Sequence, residues 1–443
     1  VDHRPSQFTL RVEAQGALLY SRRTHAYTWR TPAEAFLLVA AQDMGVSEAA
    51  HVLAGRLGRE AAYEAWAAVE TEGALNTHGR FTGRVVESAP RLRAFGAPLV
   101  AHLGVTLACN FSCAHCYSSS GTRAPNELTL VEIQQLIEQL AAMGCMKLVL
   151  GGGEPFIRKD LPAIVAAADA CGVDTYVHTN ASLMKPAVLQ ELAACPPAGL
   201  SVSLEGPDDA SNDAVRGPGT FAQALQGLAA LRRHYPPGFN ISVTVTPQNV
   251  TLAGELVELA HRQDAKVLLL RPAYPAGEAL SHDGIMCDRD TFAAAIDNAR
   301  QTAARLGVTV DAPHPYEQGV PDFDGFGCVA GKIVLGITPT GDVTPCLNLP
   351  GSFLSGNLRD RPLLDLWSAG DAFQTLREQE PNAQCDSCRH FDTCRGGCRV
   401  RALFAGSGLN GPDSWCHYEP RDGVAPVRQT GKASLLRIVA NQA

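Results

Sequence analysis

The segment CNFSCAHCY, residues 109–117, places three cysteines at spacings of four and three and offers no fourth nearby. Thiolates so spaced can converge from one tight loop onto a single cluster, leaving one iron of a four-iron cube without a protein ligand. A structural zinc site would be closed by four protein ligands, and a catalytic one would draw in His115 or a carboxylate. Zinc and a chance grouping of thiols are the competing readings. Seven more cysteines, Cys328, Cys346, Cys385, Cys388, Cys394, Cys398 and Cys416, crowd the later part of the chain. With Cys145, Cys171, Cys195 and Cys287 they make fourteen in 443 residues, more than a cytosolic chain has structural use for. Metal or redox chemistry leads. Cys145, Cys171 and Cys195 sit in apolar or helix-end contexts and read as small hydrophobes.

The elements that must position these thiols follow from the hydrophobic pattern. From about residue 99, short apolar strands alternate with amphipathic helices: LVAHLGVTLA, LVEIQQLIEQLAAMG, MKLVLGGGEP, LPAIVAAADACG, VDTYVHTN, and so on to AKVLLLRP. Six such strands predict an α/β fold with a parallel sheet curled into a partial (β/α)6 TIM-like barrel, whose chemistry lies at the strands' carboxyl ends. The first cysteine block, GGGEP, HTN and SLEGP each come directly after a predicted strand. The four segments therefore share one end of one sheet. Before them, residues 1–95 contain no cysteine and read as paired strands followed by helices, a winged-helix-like unit. Residues 96–313 form the barrel, residues 314–420 a cysteine-rich unit too irregular to stand on apolar burial alone, and residues 421–443 a tail.

Composition narrows the partners. The chain carries 37 basic and 45 acidic residues, a formal net charge of −8, with no long run of either sign, so nucleic acid and membrane are not its default partners. No charge-free apolar stretch is long enough to span a bilayer, and the first residues lack a signal-peptide layout. The expected location is cytoplasmic.

CNFSCAHC resembles the CxxxCxxC motif of the radical S-adenosylmethionine (SAM) enzymes. The resemblance implies that Cys109, Cys113 and Cys116 hold a [4Fe-4S] cluster whose open iron is chelated by the cofactor's methionine portion. Electron transfer into the sulfonium then yields a 5′-deoxyadenosyl radical that abstracts a hydrogen atom. GGGEP resembles the family's GGEP element, which implies cofactor contacts from Gly152, Gly153 and Glu154; alone it could be a plain strand-to-helix turn. Thr179 and Asn180, Ser203 and Glu205, and also Tyr117 and Leu270, are implied cofactor contacts at neighbouring positions. SNDAVRGPGTF resembles the family's HDxxRGxGSF stretch, with Asn212 for histidine and Thr220 for serine. It implies that Arg216 pairs the cofactor carboxylate; a surface arginine capping a helix end is the bland alternative.

The second block resembles the SPASM extension, with Gly341 leading into Cys346 and the spacings CxxC, Cx5C and Cx3C from Cys385 to Cys398. The resemblance implies two auxiliary [4Fe-4S] clusters, three in all. Cys385, Cys388, Cys394 and Cys416 would bind the outer one, and Cys328, Cys346 and Cys398 the inner one. The inner group is again one thiol short: its iron is open, or takes a remote ligand such as Asp322, Asp324 or Cys287. Leu347 stands where sulfatase maturases of this class carry an aspartate, which argues against that activity.

GALLYSRRTHAYTWRTPAEAFLLVAA resembles the peptide-recognition domain of ribosomal peptide maturases, where a leader peptide adds a strand to a sheet edge. The whole then implies a maturase of a ribosomally made precursor. A radical on a core residue would close a cross-link, thioether or carbon–carbon or carbon–oxygen, and the auxiliary clusters would take the leftover electron. An external one-electron donor, flavodoxin or ferredoxin, is implied. The alternatives are a dehydrogenase or epimerase of the same class making no new link, and a non-catalytic iron–sulfur scaffold. No residue is identified as catalytic base.

Overall fold

A computed structural model describes residues 6–71, 73–88, 94–313, 327–379 and 383–420. In the first unit, strands β1 (Phe8–Glu13), β2 (Gly16–Ser21) and β3 (Ala26–Arg30) are antiparallel neighbours, and β4 (Arg84–Glu87) pairs parallel with β1, giving the order β3-β2-β1-β4. Helices α1 (Pro32–Ala40), α2 (Val46–Leu57) and α3 (Arg59–Glu70) cover one face. Thr31 and Glu34 form a reciprocal capping box, and Pro32 follows the cap where a missing N–H costs nothing, so α1 starts there. Leu10, Leu19, Leu37, Leu38, Leu53, Val69 and Phe81 form the core between sheet and helices.

The predicted alternation is present as β5 (Val100–Thr106), α4 (Leu130–Ala142), β6 (Lys147–Gly152), α5 (Leu161–Ala170), β7 (Asp174–Thr179), α6 (Pro186–Ala194) and β8 (Gly199–Ser203). It continues through α7 (Asp209–Arg216), α8 (Thr220–His234), β9 (Asn240–Val245), α9 (Ala253–Arg262), β10 (Val267–Pro272) and α10 (Arg289–Leu306). Strands β5 to β10 run parallel in sequence order, as the partial barrel requires. Along β9 and β10 fully buried residues such as Ile241, Val243, Leu268 and Leu270 alternate with half-buried Ser242, Thr244, Leu269 and Arg271. The buried set packs in the main core and its alternates face the barrel interior.

The sheet is wider than the six strands expected. A short β11 (Thr309–Asp311) extends it beyond β10, while β12 (Val334–Ile337) pairs parallel with β5 and carries an antiparallel β13 (Val343–Thr344). The third unit therefore begins as part of the barrel sheet. Helices α11 (Leu363–Ala369) and α12 (Asp371–Glu378) bring Trp367 and Phe373, both fully buried, into the barrel's core, and Trp367 Nε1 donates to Phe95 O at 3.3 Å. Apolar burial holds this half of the unit, so metal ligation is not its only support. Short helices α13 (Ala383–Asp386), α14 (Phe391–Cys394) and α15 (Arg399–Ala402) follow.

Strand β7 also anchors the first unit. Asp174, at its start, accepts hydrogen bonds from Tyr20 Oη at 2.5 Å and Arg22 Nε at 2.8 Å, and meets His25 Nδ1 at 2.6 Å. Lys147, at the start of β6, lies over the rings of Tyr20, Tyr27 and Tyr176 and donates to His25 O. Arg11, fully buried, donates to Pro98 O and Gly144 O. The first unit is thus seated on the amino ends of the barrel strands. Among the described residues no helix is long and apolar enough to cross a membrane.

Candidate active site

Beyond a register shift between Gly104 and Thr106, β5 runs into the cysteine loop. Backbone bonds hold that loop from several sides: Cys109 N donates to Gly121 O, Ala114 N to Val215 O in α7, and Glu278 N to Cys116 O. The sulfurs are bordered by donors. Phe111 N lies 3.5 Å from Cys109 Sγ, Ser120 N 3.5 Å from Cys116 Sγ, and Arg216 Nη1 4.0 Å from Cys113 Sγ. Burial pushes the Cys113 thiol up to about 11 against the opposing pull of Arg216, and a metal-bound thiol is deprotonated outright. Three soft sulfurs with N–H donors and a guanidinium beside them fit an iron–sulfur cluster with thiolate ligands.

Two carboxylates sit at the ends of β6 and β8, on either side of β7, each fully enclosed. Glu154 accepts from Thr179 Oγ1 at 2.7 Å, Asn180 N at 2.7 Å and Phe156 N at 2.9 Å, all neutral donors. Burial raises its pKa, the donors opposing. Its oxygens are taken up in tying the ends of β6 and β7 together, as is the Thr179 hydroxyl. Glu205 instead meets Arg216 Nη2 at 2.7 Å and His115 Nε2 at 3.2 Å, and accepts from Thr244 N at 2.6 Å. Burial would raise the Glu205 pKa, but Arg216 and His115 outweigh it and hold the group ionised, below its ordinary range. Arg216 is therefore not the surface residue of the bland reading. It is a buried cation already partnered within the protein, with one amino group turned to Cys113.

Gly152 and Gly153 have a nearer reason to be glycine than the approach of a cofactor. A Cβ on Gly152 would lie 2.5 Å from Thr106 O, and one on Gly153 would lie 2.1 Å from Ala108 O. Bare backbone lets the end of β6 close against the cysteine loop. Asn180 Nδ2 donates to Asn110 Oδ1, joining the end of β7 to the same loop. Ser203 ends β8 in register with Ser242, half-buried, and the Tyr117 hydroxyl reaches the Gly151–Gly152 turn. Leu270 stands apart, because its side chain is buried on the helix side of the sheet.

Sequence reading weighed His115 only as a zinc ligand and passed over two other histidines here. The His115 Nδ1 is buried with no partner among the described residues. The other two are His102 on β5 and His178 on β7. Both face the barrel interior, His102 exposed and His178 half-buried there, and desolvation by the surrounding barrel lowers both to a pKa of about 4, with His102 and Arg271 adding to it at His178. His102 interrupts two buried neighbours, Ala101 and Leu103, and that alternation was the available signal.

The later cysteines separate into two groups. Cys385, Cys388, Cys394 and Cys416 line one cavity with Asp413 and Tyr418. Cys328, Cys346 and Cys398 pack together around Ala330, Leu349 and Val400. Burial, then the nearness of Cys328 and Cys398, pushes the Cys346 thiol up to about 12. Cys287 is not in that cluster; it lies in the main core, where its carbonyl accepts from Trp415 Nε1. Asp322 and Asp324 lie outside the described residues.

The radical SAM superfamily profile matches residues 103–260, and that of the SPASM iron–sulfur cluster-binding domain matches residues 328–394. The mycofactocin maturase of Mycolicibacterium smegmatis is 35% identical over 349 residues, spanning 75% of this chain and 87% of that protein. The AdoMet-dependent heme synthase of Methanosarcina barkeri is 29% identical over 353 residues, 73% of this chain and 97% of that one. Streptococcus suis SuiB, solved bound to S-adenosylmethionine, superimposes with a TM-score of 0.73 at 19% identity, covering 94% of this chain and all of SuiB. It has also been solved bound to its precursor peptide SuiA. With its cysteine loop at the strand ends and its second cysteine unit joined to the same sheet, the chain belongs to the radical SAM enzymes of the SPASM-bearing peptide maturase family.

Proposed function

We propose that this enzyme modifies a ribosomally synthesised precursor peptide, abstracting a hydrogen atom from a core residue and closing a thioether or a carbon–carbon or carbon–oxygen side-chain link. The observation that carries the peptide reading is the free edge of the first unit. Strand β3 ends its four-stranded sheet, with Ala26 exposed and Trp29 at 42% exposure. An extended leader adds there by backbone hydrogen bonds, with Trp29 as a side-chain anchor. The unit of residues 1–95 is the leader-binding part, 96–313 the radical-forming part and 314–420 the auxiliary-cluster part.

Cys109, Cys113 and Cys116 hold the first of three [4Fe-4S] clusters, and S-adenosylmethionine bound beside it supplies the 5′-deoxyadenosyl radical. Gly152, Gly153, Asn180, Ser203 and Tyr117 shape the cofactor's seat. Glu154 and Thr179 act through the backbone they fix, Arg216 and Glu205 set the charge beside Cys113, and Leu270 contributes backbone alone. Cys328, Cys346 and Cys398 hold the inner auxiliary cluster, and Cys385, Cys388, Cys394 and Cys416 the outer. A flavodoxin or ferredoxin supplies the reducing electron.

Incubating the reconstituted enzyme with the precursor encoded beside its gene tests the reading by mass spectrometry. Loss of two hydrogens from the core supports the cross-link; unchanged mass with deuterium uptake replaces it with epimerisation. Trp29→Ala should weaken leader binding about tenfold, the scale of a mid-sized anchor. Leader affinity indifferent to Trp29, measured by calorimetry, would sink the edge-strand assignment.

A further inference from the structure

Between the two later cysteine groups lies a charge pair that neither needs as a ligand. Arg401 makes a two-pronged bond to Asp413, Nε to Oδ1 and Nη2 to Oδ2, both at 2.7 Å. The side chains are 15% and 6% exposed. Arg401 lies on the inner side, and Asp413 stands between the two groups. Asp413 lines the cavity of Cys385, Cys388, Cys394 and Cys416, and its carbonyl accepts from Cys416 N. Its Oδ2 also accepts from Cys398 N at 2.7 Å, so one residue bonds the backbone of both groups, Cys398 through its carboxylate and Cys416 through its carbonyl. Arg401 lies 4.1 Å from the centroid of the Trp415 ring and 5.9 Å from that of Tyr274. Tyr274 is in electrostatic reach of Cys328, Cys346 and Cys398, and follows directly on β10 of the barrel.

The local sequence is shaped to this pair. A Cβ on Gly397 would lie 2.6 Å from the Asp413 carboxylate, and Gly397 has a φ of +73°, so the residue before Cys398 must be glycine for the pair to close. A further cation near the outer group is Arg399, which faces Cys385 and Cys394 while donating to Leu409 O and Gly411 O. The inner group has Arg401 beside Cys398, with Lys332, Arg395 and Arg399 lining a small cavity on its Cys328 side.

A cluster gains negative charge when reduced, so a nearby buried cation raises its potential and a nearby anion lowers it. We propose that the Arg401–Asp413 pair orders the potentials of the two auxiliary clusters, raising the inner relative to the outer. An electron shared between them is then held on the barrel side, toward Tyr274. The inference rests on the assignment of the two cysteine groups to clusters.

The test is a potentiometric titration of the reconstituted full-length chain, followed by electron paramagnetic resonance. Arg401→Met should shift the inner cluster's midpoint down, and by more than the outer's. Arg401→Lys should restore most of the difference, and Asp413→Asn should raise the outer cluster's midpoint. Equal shifts in both clusters, or none, overturn the inference while leaving the clusters in place. Wild-type protein that assembles fewer than two auxiliary clusters, by iron and sulfide content, overturns the cluster assignment and the inference with it. Cofactor-dependent 5′-deoxyadenosine formation without peptide should be unchanged in Arg401→Met, because the hydrogen bonds of the pair go to Cys398, Trp415 and Cys416 and none to the Cys109–Cys116 loop among the described residues.

Discussion

The two ends of the barrel use the same three kinds of side chain. At the amino end Asp174 meets Arg22 and His25; at the carboxyl end Glu205 meets Arg216 and His115. In each case burial opposes ionisation and the neighbours outweigh it, holding the carboxylate below its ordinary range. What differs is the donor capacity left over. Around Asp174, Tyr20 adds a third donor and Arg22 spends its other arm on Asp169, so the set is consumed in joining two units. Around Glu205 the His115 Nδ1 has no partner among the described residues, and an Arg216 amino group faces Cys113. An ion pair that leaves no buried nitrogen unmet among the described residues is a joint; one that leaves a ring nitrogen buried and unmet beside the cysteine loop is part of a site.

Glu205→Gln should have the largest effect, because it leaves Arg216 as an unpaired buried cation, a loss of about 3–5 kcal/mol. Thermal denaturation should show it, with cluster content and 5′-deoxyadenosine yield falling together. A variant of unchanged stability would mean that Arg216 is neutralised by something other than Glu205. Asp174→Asn should cost less, about 1–3 kcal/mol for donors left partly unmet. Its mark should be faster proteolytic release of the first unit, with peptide-independent 5′-deoxyadenosine formation intact. Should that formation fall as far as in Glu205→Gln, the two ends are not separable as joint and site.

His115→Phe removes the unmet ring nitrogen and, with it, the Nε2 contact to Glu205. Stability should fall by about 1–3 kcal/mol as Glu205 loses a partner, and cofactor affinity should drop several-fold, read as a Kd by equilibrium dialysis; an unchanged Kd would return His115 to a purely structural role. The smallest effect is on pH dependence. Asp174 has a lowered pKa, so its stabilisation is present above its ordinary 3.8 and is lost only as pH falls through the lowered value. His102 and His178, lowered from 6.5 to about 4, act earlier, since the unfolded chain takes up their protons first. Stability should therefore decline as pH drops from about 6.5 towards 4, and His178→Phe should flatten that slope while leaving the Asp174 limb untouched.

Much of the site was legible because its signals are local. The loop thiols lie within eight residues of one another, and the strands that carry the other motifs announce themselves by short apolar runs. Arg216 was legible as a participant, but its partner was not, because nothing in a run of sequence says that Glu205 will meet it eleven positions away. Thr179 and Glu154 were read as separate cofactor contacts, and the fold spends them on each other. The glycines of GGGEP were read as space for a ligand, and much of that space is filled by the carbonyls of Thr106 and Ala108.

The sequence by itself determined the thiol spacing, the β/α alternation and the placing of chemistry at strand ends, since each is set by covalent distance or by side-chain period along one segment. Only the tertiary structure decided that β12 joins the barrel sheet beside β5, that Asp174 receives Tyr20 from 154 residues away, and that Arg401 and Asp413 stand between two cysteine groups. Such pairings depend on how separately folded segments come to rest against one another. A buried charge takes whatever partner that packing brings within reach.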